Sequence, residues 1–363
     1  MEHFSRFLVA LFLSSVVTRG ESSRPKNESK LAFLAIGDFG GKAWPPYYTG
    51  TLKNVAKTMG KVARTKSARF VLGLGDNFYW NGVKNVNDFR FQSTFENVFN
   101  APALHKTTWH MIAGNHDYLG NVLAQIAYTK VSRRWNFPNY YYTKVERIPG
   151  TCVTVQVVMI DTTLLCYKRT SERIAHYKWL EETLKNSSAD YLVVAGHHPV
   201  YSAGVHGSTY CLQQKLRPLL WAYDVTAYLS GHDHNLQHIK EKNYDVHYFV
   251  SGSASNHNAL QLHKGCLPCD SLRYFNGRIG AFALLEATPK SLKVTFISER
   301  GRVLYSADIS PRRRECSASS PRDMIESFED NILDAFFSLQ YEQELKKQKA
   351  REKSQSELGD KLT

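Results

Sequence analysis

Short apolar segments recur along most of the chain, and the early ones are continuously apolar rather than alternating. Such runs, of which Leu31–Ile36 is the first, are typical of strands with both faces buried. They predict strands at 69–74, 108–113, 152–160, 191–195, 225–229, 246–250, 280–286, 292–298 and 302–309. Apolar residues at helical spacing predict helices at 51–65, 86–98, 171–185 and 212–221. Strands that alternate with helices early and then predominate indicate an α/β sandwich of two facing sheets with helices outside.

The two ends of the chain differ from this central pattern. Arg6, an apolar core from Leu8 and a small-x-small site predict a signal peptide over residues 1–20, the alternative being a buried N-terminal helix. Residues 21–310 then form one catalytic domain. Residues 311–363 are a C-terminal extension, in which an amphipathic helix precedes a charged tail. The apolar stripe of that helix either covers the domain or binds a partner.

Charge and length limit the class of protein. The 363 residues are 43% hydrophobic, and after the predicted signal peptide no apolar stretch is long enough to span a bilayer. The formal net charge is +13, but residues 311–363 hold ten Lys/Arg and eleven Asp/Glu, so the basic excess lies before them. The excess is scattered and no nucleic-acid-binding module is recognisable. A solvated basic surface is therefore expected, and no nucleic-acid partner.

The cysteine count favours disulfides, since it is even in a chain predicted to enter an oxidising compartment: Cys152, Cys166, Cys211, Cys266, Cys269 and Cys316. The spacing Cys266-x-x-Cys269 is compatible with zinc or redox chemistry. It stands without a second such pair, so a disulfide within this loop is the preferred interpretation. Asn27 and Asn186 begin Asn-x-Ser sequons and are candidate glycan sites.

Five predicted strands end in turns that begin with glycine and carry polar side chains. The turn after the second strand, Gly75-Asp76-Asn77-Phe78-Tyr79, holds a carboxylate and a phenol. Parallel strands bring their carboxyl ends to one edge of a sheet, so side chains of these distant turns are expected to converge. The turns supply two carboxylates, one phenol, one amide and three imidazoles: Asp38, Asp76, Tyr79, Asn115, His197, His232 and His234. This set is too large for one metal ion and suits two.

In order and spacing the five turns match the metallophosphoesterase superfamily: Gly37-Asp38, Gly75-Asp76-Asn77-Phe78-Tyr79, Gly114-Asn115-His116-Asp117, Gly196-His197 and Gly231-His232-Asp233-His234. Within that superfamily, residues 31–310 resemble the purple acid phosphatases of the small animal, tartrate-resistant type. The resemblance implies a four-layer α/β/β/α sandwich of two mixed β-sheets flanked by helices. It also implies an acid phosphatase that hydrolyses phosphoric monoesters, free or on phosphoproteins.

One departure from the wider superfamily narrows the match. Many relatives carry Asp-x-His in the first turn, whereas here Gly40 stands at the third position. The purple acid phosphatases use the tyrosine of the second turn, here Tyr79, in place of that histidine. A phenol has an ordinary pKa of about 10, so its anion favours a hard trivalent ion. The resemblance implies Fe(III) and a divalent ion, Fe(II), Zn or Mn. Their ligands would be Asp38, Tyr79 and His234 for Fe(III), Asn115, His197 and His232 for the divalent ion, and Asp76 as the bridge.

The resemblance also implies the reaction. A hydroxide that bridges the metals attacks phosphorus, with direct transfer to water and no phosphoenzyme. His116 and His206 occupy positions that bind the phosphate or protonate the leaving group in the family, and imidazole suits both roles in acid. The alternative for each is a hydrogen-bonded structural histidine. His198 stands where relatives often have an aromatic residue, and no role is assigned to it.

Further expectations come from the same resemblance. A disulfide between Cys166 and Cys211 is implied. The short segment from Cys166 to Ile174 lacks most of a protease-sensitive loop that mammalian relatives have, so activation by proteolysis is not expected. A secreted or lysosomal monomer is expected.

Two alternatives share these motifs. One is a phosphodiesterase or neutral phosphoprotein phosphatase on the same scaffold, against which Tyr79 argues; hydrolysis of aryl monoesters and diesters across pH separates the two. The other is a secreted basic protein on a catalytically dead scaffold that binds heparin or a protein through its tail. The presence of all seven expected ligands argues against a dead site.

Overall fold

The structure, a computed structural model, describes residues 29–167 and 170–312. These two segments contain fourteen strands: β1 (Leu31–Ile36), β2 (Phe70–Gly73), β3 (Thr108–Met111), β4 (Trp135–Asn136), β5 (Tyr142–Arg147), β6 (Thr154–Met159), β7 (Tyr191–Ala195), β8 (Ala227–Ser230), β9 (Leu236–Lys240), β10 (His247–Ser251), β11 (Leu272–Asn276), β12 (Ala281–Ala287), β13 (Leu292–Ser298) and β14 (Val303–Ile309). Their α-helices are α1 (Gly50–Lys66), α2 (Pro102–His105), α3 (Val122–Tyr128), α4 (Thr162–Tyr167), α5 (Thr170–Lys185) and α6 (Tyr210–Ala222).

Both termini of the chain extend beyond this part. The predicted signal peptide and residues 313–363 of the predicted extension lie outside the described residues. Among the helices that are described, none is long and apolar enough to cross a membrane.

The strands of the described segments form two sheets of seven. Sheet 1 has the order β14-β13-β12-β1-β2-β3-β4, and sheet 2 the order β11-β9-β10-β8-β7-β6-β5. Strands β1 to β4 run parallel in sheet 1, as do β6, β7, β8 and β10 in sheet 2. The other pairs are antiparallel, so both sheets are mixed, as predicted.

Burial on both faces of the central strands builds four layers. In β1, Phe33 and Ala35 belong to the core between the two sheets, whereas Leu34 and Ile36 belong to the core under the helices. This division explains why the run is continuously apolar. Helices α1, α2 and α3 cover sheet 1, and α5 and α6 cover sheet 2. The predicted α/β/β/α sandwich is confirmed.

The helix predicted at 86–98 is confirmed only in its middle part. Only Phe91–Glu96 is helical there, as a π-helical turn. The carboxylate of Asp88 accepts from the backbone N–H of Lys84 (2.8 Å) and of Arg90 (2.9 Å). Such local side-chain bonds satisfy backbone donors outside a helix, and they compete with helix formation at its start.

The cysteines divide into a bonded pair and free thiols. Cys166 and Cys211 form the implied disulfide, with Cα atoms 5.8 Å apart, and it joins α4 to α6. Among the described cysteines, Cys152, Cys266 and Cys269 are free and exposed, so the preferred disulfide within the Cys266-x-x-Cys269 loop is not formed, and Cys316 lies outside the described residues. A 3₁₀ turn ends at Cys266, and the next residue is extended (φ −79°, ψ 155°), which leads the chain out of the turn before Cys269.

One buried histidine of the helical layer has no polar partner. His176 lies on α5, fully buried, and its ring stacks on Tyr141 with centroids 3.9 Å apart. Neither ring nitrogen has a hydrogen-bond partner among the described residues. Burial lowers the pKa of His176 to about 3. In the unfolded chain this histidine binds a proton below about pH 6.5, whereas in the folded chain it stays neutral down to about pH 3. The free energy of unfolding therefore falls as the pH falls from about 6.5 toward about 3.

Replacing His176 with phenylalanine is expected to remove this pH-dependent loss. The variant His176→Phe should gain stability over the wild type, and the gain at pH 5 should exceed that at pH 7.5 by about 2 kcal/mol, from 1.36 kcal/mol per unit of pKa difference. Urea unfolding at both pH values measures it. The exposed His105 offers the control His105→Phe, which should show no such difference. Equal gains at both pH values would contradict the assignment.

Candidate metal centre

The five glycine-containing turns meet where the carboxyl ends of β1, β2 and β3 face those of β7 and β8. Hydrogen bonds between side chains and backbone groups join the two sheets at this point. The N–H of His232 donates to Asp38 Oδ2 (2.8 Å), and His197 Nδ1 donates to the carbonyl of Leu74 (2.9 Å). Gly75 permits this approach, because its φ is +87° and a Cβ there would lie 2.7 Å from His197 Nδ1.

Three of the predicted ligands adopt left-handed backbone conformations. Asp38, Asp76 and His232 have φ of 60°, 50° and 70°. Such conformations are uncommon for residues other than glycine and cluster at functional sites. The turns therefore hold these side chains in orientations that extended strand ends would not provide.

Tyr79, Asp38 and His234 form one group of donor atoms, here called the phenol cluster. Tyr79 Oη lies 3.0 Å from Asp38 Oδ1 and 2.9 Å from His234 Nε2. His234 Nε2 lies 3.6 Å from Asp38 Oδ1. Tyr79 and Asp38 are fully buried. Three residues from three different turns thus direct one donor atom each to a common point.

His197, His232 and Asn115 form a second group, here called the imidazole cluster. His197 Nε2 lies 3.0 Å from Asn115 Oδ1 and 3.2 Å from His232 Nδ1. Asp76 connects the two groups, because its Oδ1 is 3.4 Å from His197 Nε2 and its carboxylate lies with Asp38 and His197 within 4.8 Å. The structure brings all seven predicted ligands together.

Electrostatics make this assembly costly without a cation. Burial, and then the charge of Asp38, raise the pKa of Asp76 well above its ordinary value. Burial and the same carboxylate raise the pKa of the Tyr79 phenol. Burial, and then the neighbouring imidazoles, lower the pKa of His232. Each of these three pKa shifts opposes the charged form of its group, as expected when acids or imidazoles are buried close to others of the same kind.

The donor set fits two metal ions. Bonds of about 2.0–2.2 Å to nitrogen and oxygen place neighbouring donors of one ion about 3–3.5 Å apart. The separations in the phenol cluster, 2.9–3.6 Å, and in the imidazole cluster, 3.0 and 3.2 Å, agree with that spacing. A bound cation would also favour the charged form of the buried carboxylates.

His116 and His206, the two predicted catalytic residues, lie beside the clusters. The ring of His116 is 4.9 Å from that of Tyr79, and its Nδ1 donates to the carbonyl of Trp80 (2.7 Å), so Nε2 is the ring nitrogen that this bond does not use. The ring of His206 is 4.4 Å from that of His232. Both imidazoles therefore reach the space in front of the predicted ligands.

Comparison with known proteins identifies the family. A profile of the calcineurin-like phosphoesterase family matches residues 31–236. Tartrate-resistant acid phosphatase type 5 of Oryctolagus cuniculus is 42% identical over 323 residues, which cover 85% of this chain and 98% of the relative. The Homo sapiens protein of the same name is 42% identical over 300 residues, covering 78% and 92%. Purple acid phosphatase 4 of Arabidopsis thaliana is 30% identical over 305 residues, covering 79% and 85%. The chain belongs to the purple acid phosphatases.

Membership defines the chemistry in outline. This purple acid phosphatase is a phosphoric monoester hydrolase with a dinuclear metal centre. Two solved structures share its fold. One is GAP50 of Plasmodium, described as the anchor in the inner membrane complex (TM-score 0.71, 24% identity, 79% of this chain and 91% of that one). The other is a purple acid phosphatase from Lupinus luteus seeds (TM-score 0.59, 16% identity, 82% and 58%). At these identities the likeness shows the fold alone.

The glycine-turn motifs of this purple acid phosphatase also contain two acids, Asp117 and Asp233, for which the sequence analysis predicts no role. Asp117 is fully buried and accepts from the N–H of Asn77 (3.1 Å) and of Gly114 (2.8 Å), and thus fastens two ligand turns together. Asp233 lies between His232 and His234, yet its carboxylate points away from them. Both acids lie inside the glycine-turn motifs, and this position is the one sequence feature that indicates a role for them.

Asp233 fixes the loop that carries His206. Its Oδ1 accepts from the His206 N–H (3.0 Å), and its Oδ2 accepts from the Ser202 hydroxyl. The Ser202 oxygen in turn accepts from the N–H of Gly204 (2.9 Å) and from Gln237 Nε2 (2.7 Å). Ser202, Asp233 and Gln237 are buried. The hydroxyl therefore has no free lone pair, and its one hydrogen is used by Asp233.

His198, which received no role, also adjoins the imidazole cluster. One of its ring nitrogens lies within 4.8 Å of ligand atoms of His197 and His232. Its Nδ1 and its backbone N–H both bond to Thr162 Oγ1, at 2.8 and 3.0 Å. The hydroxyl of Thr162 holds the ring in place, and nothing in the contacts assigns His198 a chemical step.

Replacing Asp233 with asparagine is expected to displace His206 without removing a predicted ligand. In Asp233→Asn the single amide oxygen can accept from Ser202 or from the His206 N–H but not from both, because the NH₂ group only donates. We expect kcat/KM for a phosphomonoester to fall about tenfold or more, with metal content unchanged. Ser202→Ala should act in the same direction.

A double-mutant cycle with His206→Ala tests whether Asp233 acts through His206. If it does, the double variant should be no worse than His206→Ala alone. Additive losses, or wild-type activity in Asp233→Asn at full metal content, would contradict this role.

Proposed function

We propose that this protein hydrolyses phosphoric monoesters in acid at an Fe(III)–M(II) centre, with direct transfer to water. The proposed Fe(III) ligands are Asp38, Tyr79 and His234, which make up the phenol cluster. The proposed divalent site is the imidazole cluster, and Asp76 is the proposed bridge. The observation that supports this most is the buried phenol oxygen of Tyr79, 3.0 Å from Asp38 and 2.9 Å from His234.

A trivalent ion explains why a phenol occupies this position. Burial and the charges of Asp38, Asp76 and Asp117 raise the pKa of Tyr79, so its surroundings oppose the phenolate in the absence of a cation. Ligation as phenolate requires a cation of high charge density, and Fe(III) is such a cation. When bound, a pair of metal ions provides a nucleophile by lowering the pKa of water and neutralises charge on the phosphoryl group.

The residues around the centre supply orientation and protons. The backbone N–H of His116 donates to Asp76 Oδ1 (3.0 Å), which fixes that carboxylate between the clusters. The hydrogen on His116 Nδ1 is held by the Trp80 carbonyl, so a second proton binds at Nε2. From there it can pass to the oxygen of the leaving group. His206, held by Asp233, is the second group for binding phosphate.

Several broader features belong to the same proposal. We expect a secreted or lysosomal monomer in which residues 1–20 are removed, residues 21–310 form the catalytic domain, and residues 311–363 are an appended extension with a possible partner of its own. A glycan at Asn186 is compatible with the structure, since that side chain is exposed. The seven clustered donors argue against a dead scaffold.

The variant Tyr79→Phe tests the phenolate assignment. Wild-type protein loaded with iron should be purple or pink, and the visible band should be absent in the variant at matched iron content. The control Tyr128→Phe removes a buried hydroxyl outside both clusters and should keep the colour. A colourless iron-loaded wild type, or an unchanged spectrum in Tyr79→Phe, would contradict the assignment.

The variant His116→Asn tests proton donation. Its amide nitrogen can keep the bond to the Trp80 carbonyl, whereas the position of Nε2 is empty. We expect hydrolysis of glycerol 2-phosphate, a poor leaving group, to slow by about 10²-fold or more, and 4-nitrophenyl phosphate to be affected much less. Equal losses for both substrates would mean that His116 binds phosphate and does not protonate the leaving group.

A further inference from the structure

The solvent-exposed face of α1 carries a row of cations. The helix contains no acidic residue, and Lys53, Lys57, Lys61 and Arg64 are all exposed. Their spacing of four, four and three residues places them along one face. The row extends about 16 Å at a rise of about 1.5 Å per residue. The opposite face of the helix is buried in the core of sheet 1, as the full burial of Leu52 and Met59 shows.

The turn between β13 and β14 extends this row sideways. Thr58 Oγ1 donates to the carbonyl of Glu299 (2.6 Å), and Asn54 Nδ2 donates to its carboxylate (3.4 Å), which brings the turn onto α1. Arg300 and Arg302 are exposed on that turn. The six cations are here called the basic patch: Lys53, Lys57, Lys61, Arg64, Arg300 and Arg302.

The basic patch is not neutralised within the part of the chain that the structure describes. None of its six residues has an ion pair there, and Glu299 is the one acid on the two elements. The end of α1 shows the contrast. Lys66 and Lys30 both pair with Glu286, at 3.2 and 2.8 Å.

Like charges this close together raise the local potential. Residues four apart on a helix have Cβ atoms about 5–6 Å from each other, inside the Debye length of about 8 Å at physiological salt. Each like-charged pair four residues apart destabilises the helix. A bound polyanion removes this repulsion and releases its own counter-ions, so the patch gains affinity for such a ligand.

The position of the apolar side of α1 favours a linear polyanion over an anionic membrane surface as the ligand. A helix that binds a membrane surface inserts exposed apolar side chains beside its cations. Here the apolar residues of α1 are in the core, and the patch offers only charges in a line. We propose that the basic patch binds a linear sulfated polysaccharide. This proposal is independent of the phosphatase reaction, because the patch contains none of the seven predicted ligands or of the two predicted catalytic histidines.

Two variants with the same net charge test the proposal. The patch variant replaces Lys53, Lys57, Lys61 and Arg64 with glutamine, which has a similar helix propensity. The control variant replaces four exposed cations outside the patch with glutamine: Lys84, Lys130, Arg133 and Lys242. Heparin is the probe, and its Kd is measured against NaCl concentration on the full-length protein.

We expect the patch variant to bind heparin at least tenfold more weakly at 150 mM NaCl, with the control near wild type. The slope of log Kd against log salt should fall by about three in the patch variant, from about 0.7 per charge removed. Equal weakening in both variants, or none in either, would overturn the proposal. Tighter binding to phosphatidylserine vesicles or to single-stranded DNA than to heparin would overturn the choice of ligand.

Activity and thermal unfolding separate this result from misfolding and from failure of the proposed function. Phosphatase activity should be the same in all three proteins. If the patch variant unfolds early, the smaller variants Lys53→Gln with Lys57→Gln, and Lys61→Gln with Arg64→Gln, should each show a partial loss of heparin binding. Wild-type heparin affinity in both of these pairs would also overturn the proposal.

Discussion

The hydrogen bond from His197 Nδ1 to the carbonyl of Leu74 joins the two sheets where the ligand turns meet. It places the hydrogen of the imidazole on Nδ1 and leaves the Nε2 lone pair for ligation. Nε2 then lies within 3.4 Å of the predicted metal-binding atoms of Asn115, His232 and Asp76. The position of the His197 ring therefore fixes the geometry of the imidazole cluster. Gly75 makes the bond possible, since any larger residue would force the sheets apart.

Two acids that bind no metal in our assignment give the centre its rigidity. Asp117 ties the second turn to the third, and Asp233 ties the fifth turn to the loop of His206. Each carboxylate is buried and accepts several hydrogen bonds, which compensates for its desolvation. The seven predicted ligands are thus held in place by two buried carboxylates, and both sets of residues come from the same short motifs.

Much of this arrangement follows from the sequence, and the failures have physical causes. The central strands were predictable because both of their faces are buried, so that their apolar runs are unbroken. The polar edge strand β5 and the strands β9 and β11 lack that signal. The helix expected at 86–98 begins later than predicted because Asp88 bonds to nearby backbone groups. The seven predicted ligands were identifiable as candidates from the glycine turns and from the family resemblance. The role of Asp233 in holding the His206 loop was not identifiable, because a carboxylate between two predicted ligands is itself a candidate ligand. Only the structure shows that this carboxylate bonds to Ser202 and to the His206 N–H.

The contact between His116 and residue 80 has a consequence for how this enzyme can diverge. The group that sets the position of the proton on His116 is the main-chain carbonyl of Trp80, and every amino acid has such a carbonyl. The indole itself is 46% exposed, and its centroid lies 5.1 Å from the imidazole. The side chain at position 80 can therefore be exchanged, and the entrance of the site reshaped, while the hydrogen on His116 Nδ1 keeps its acceptor.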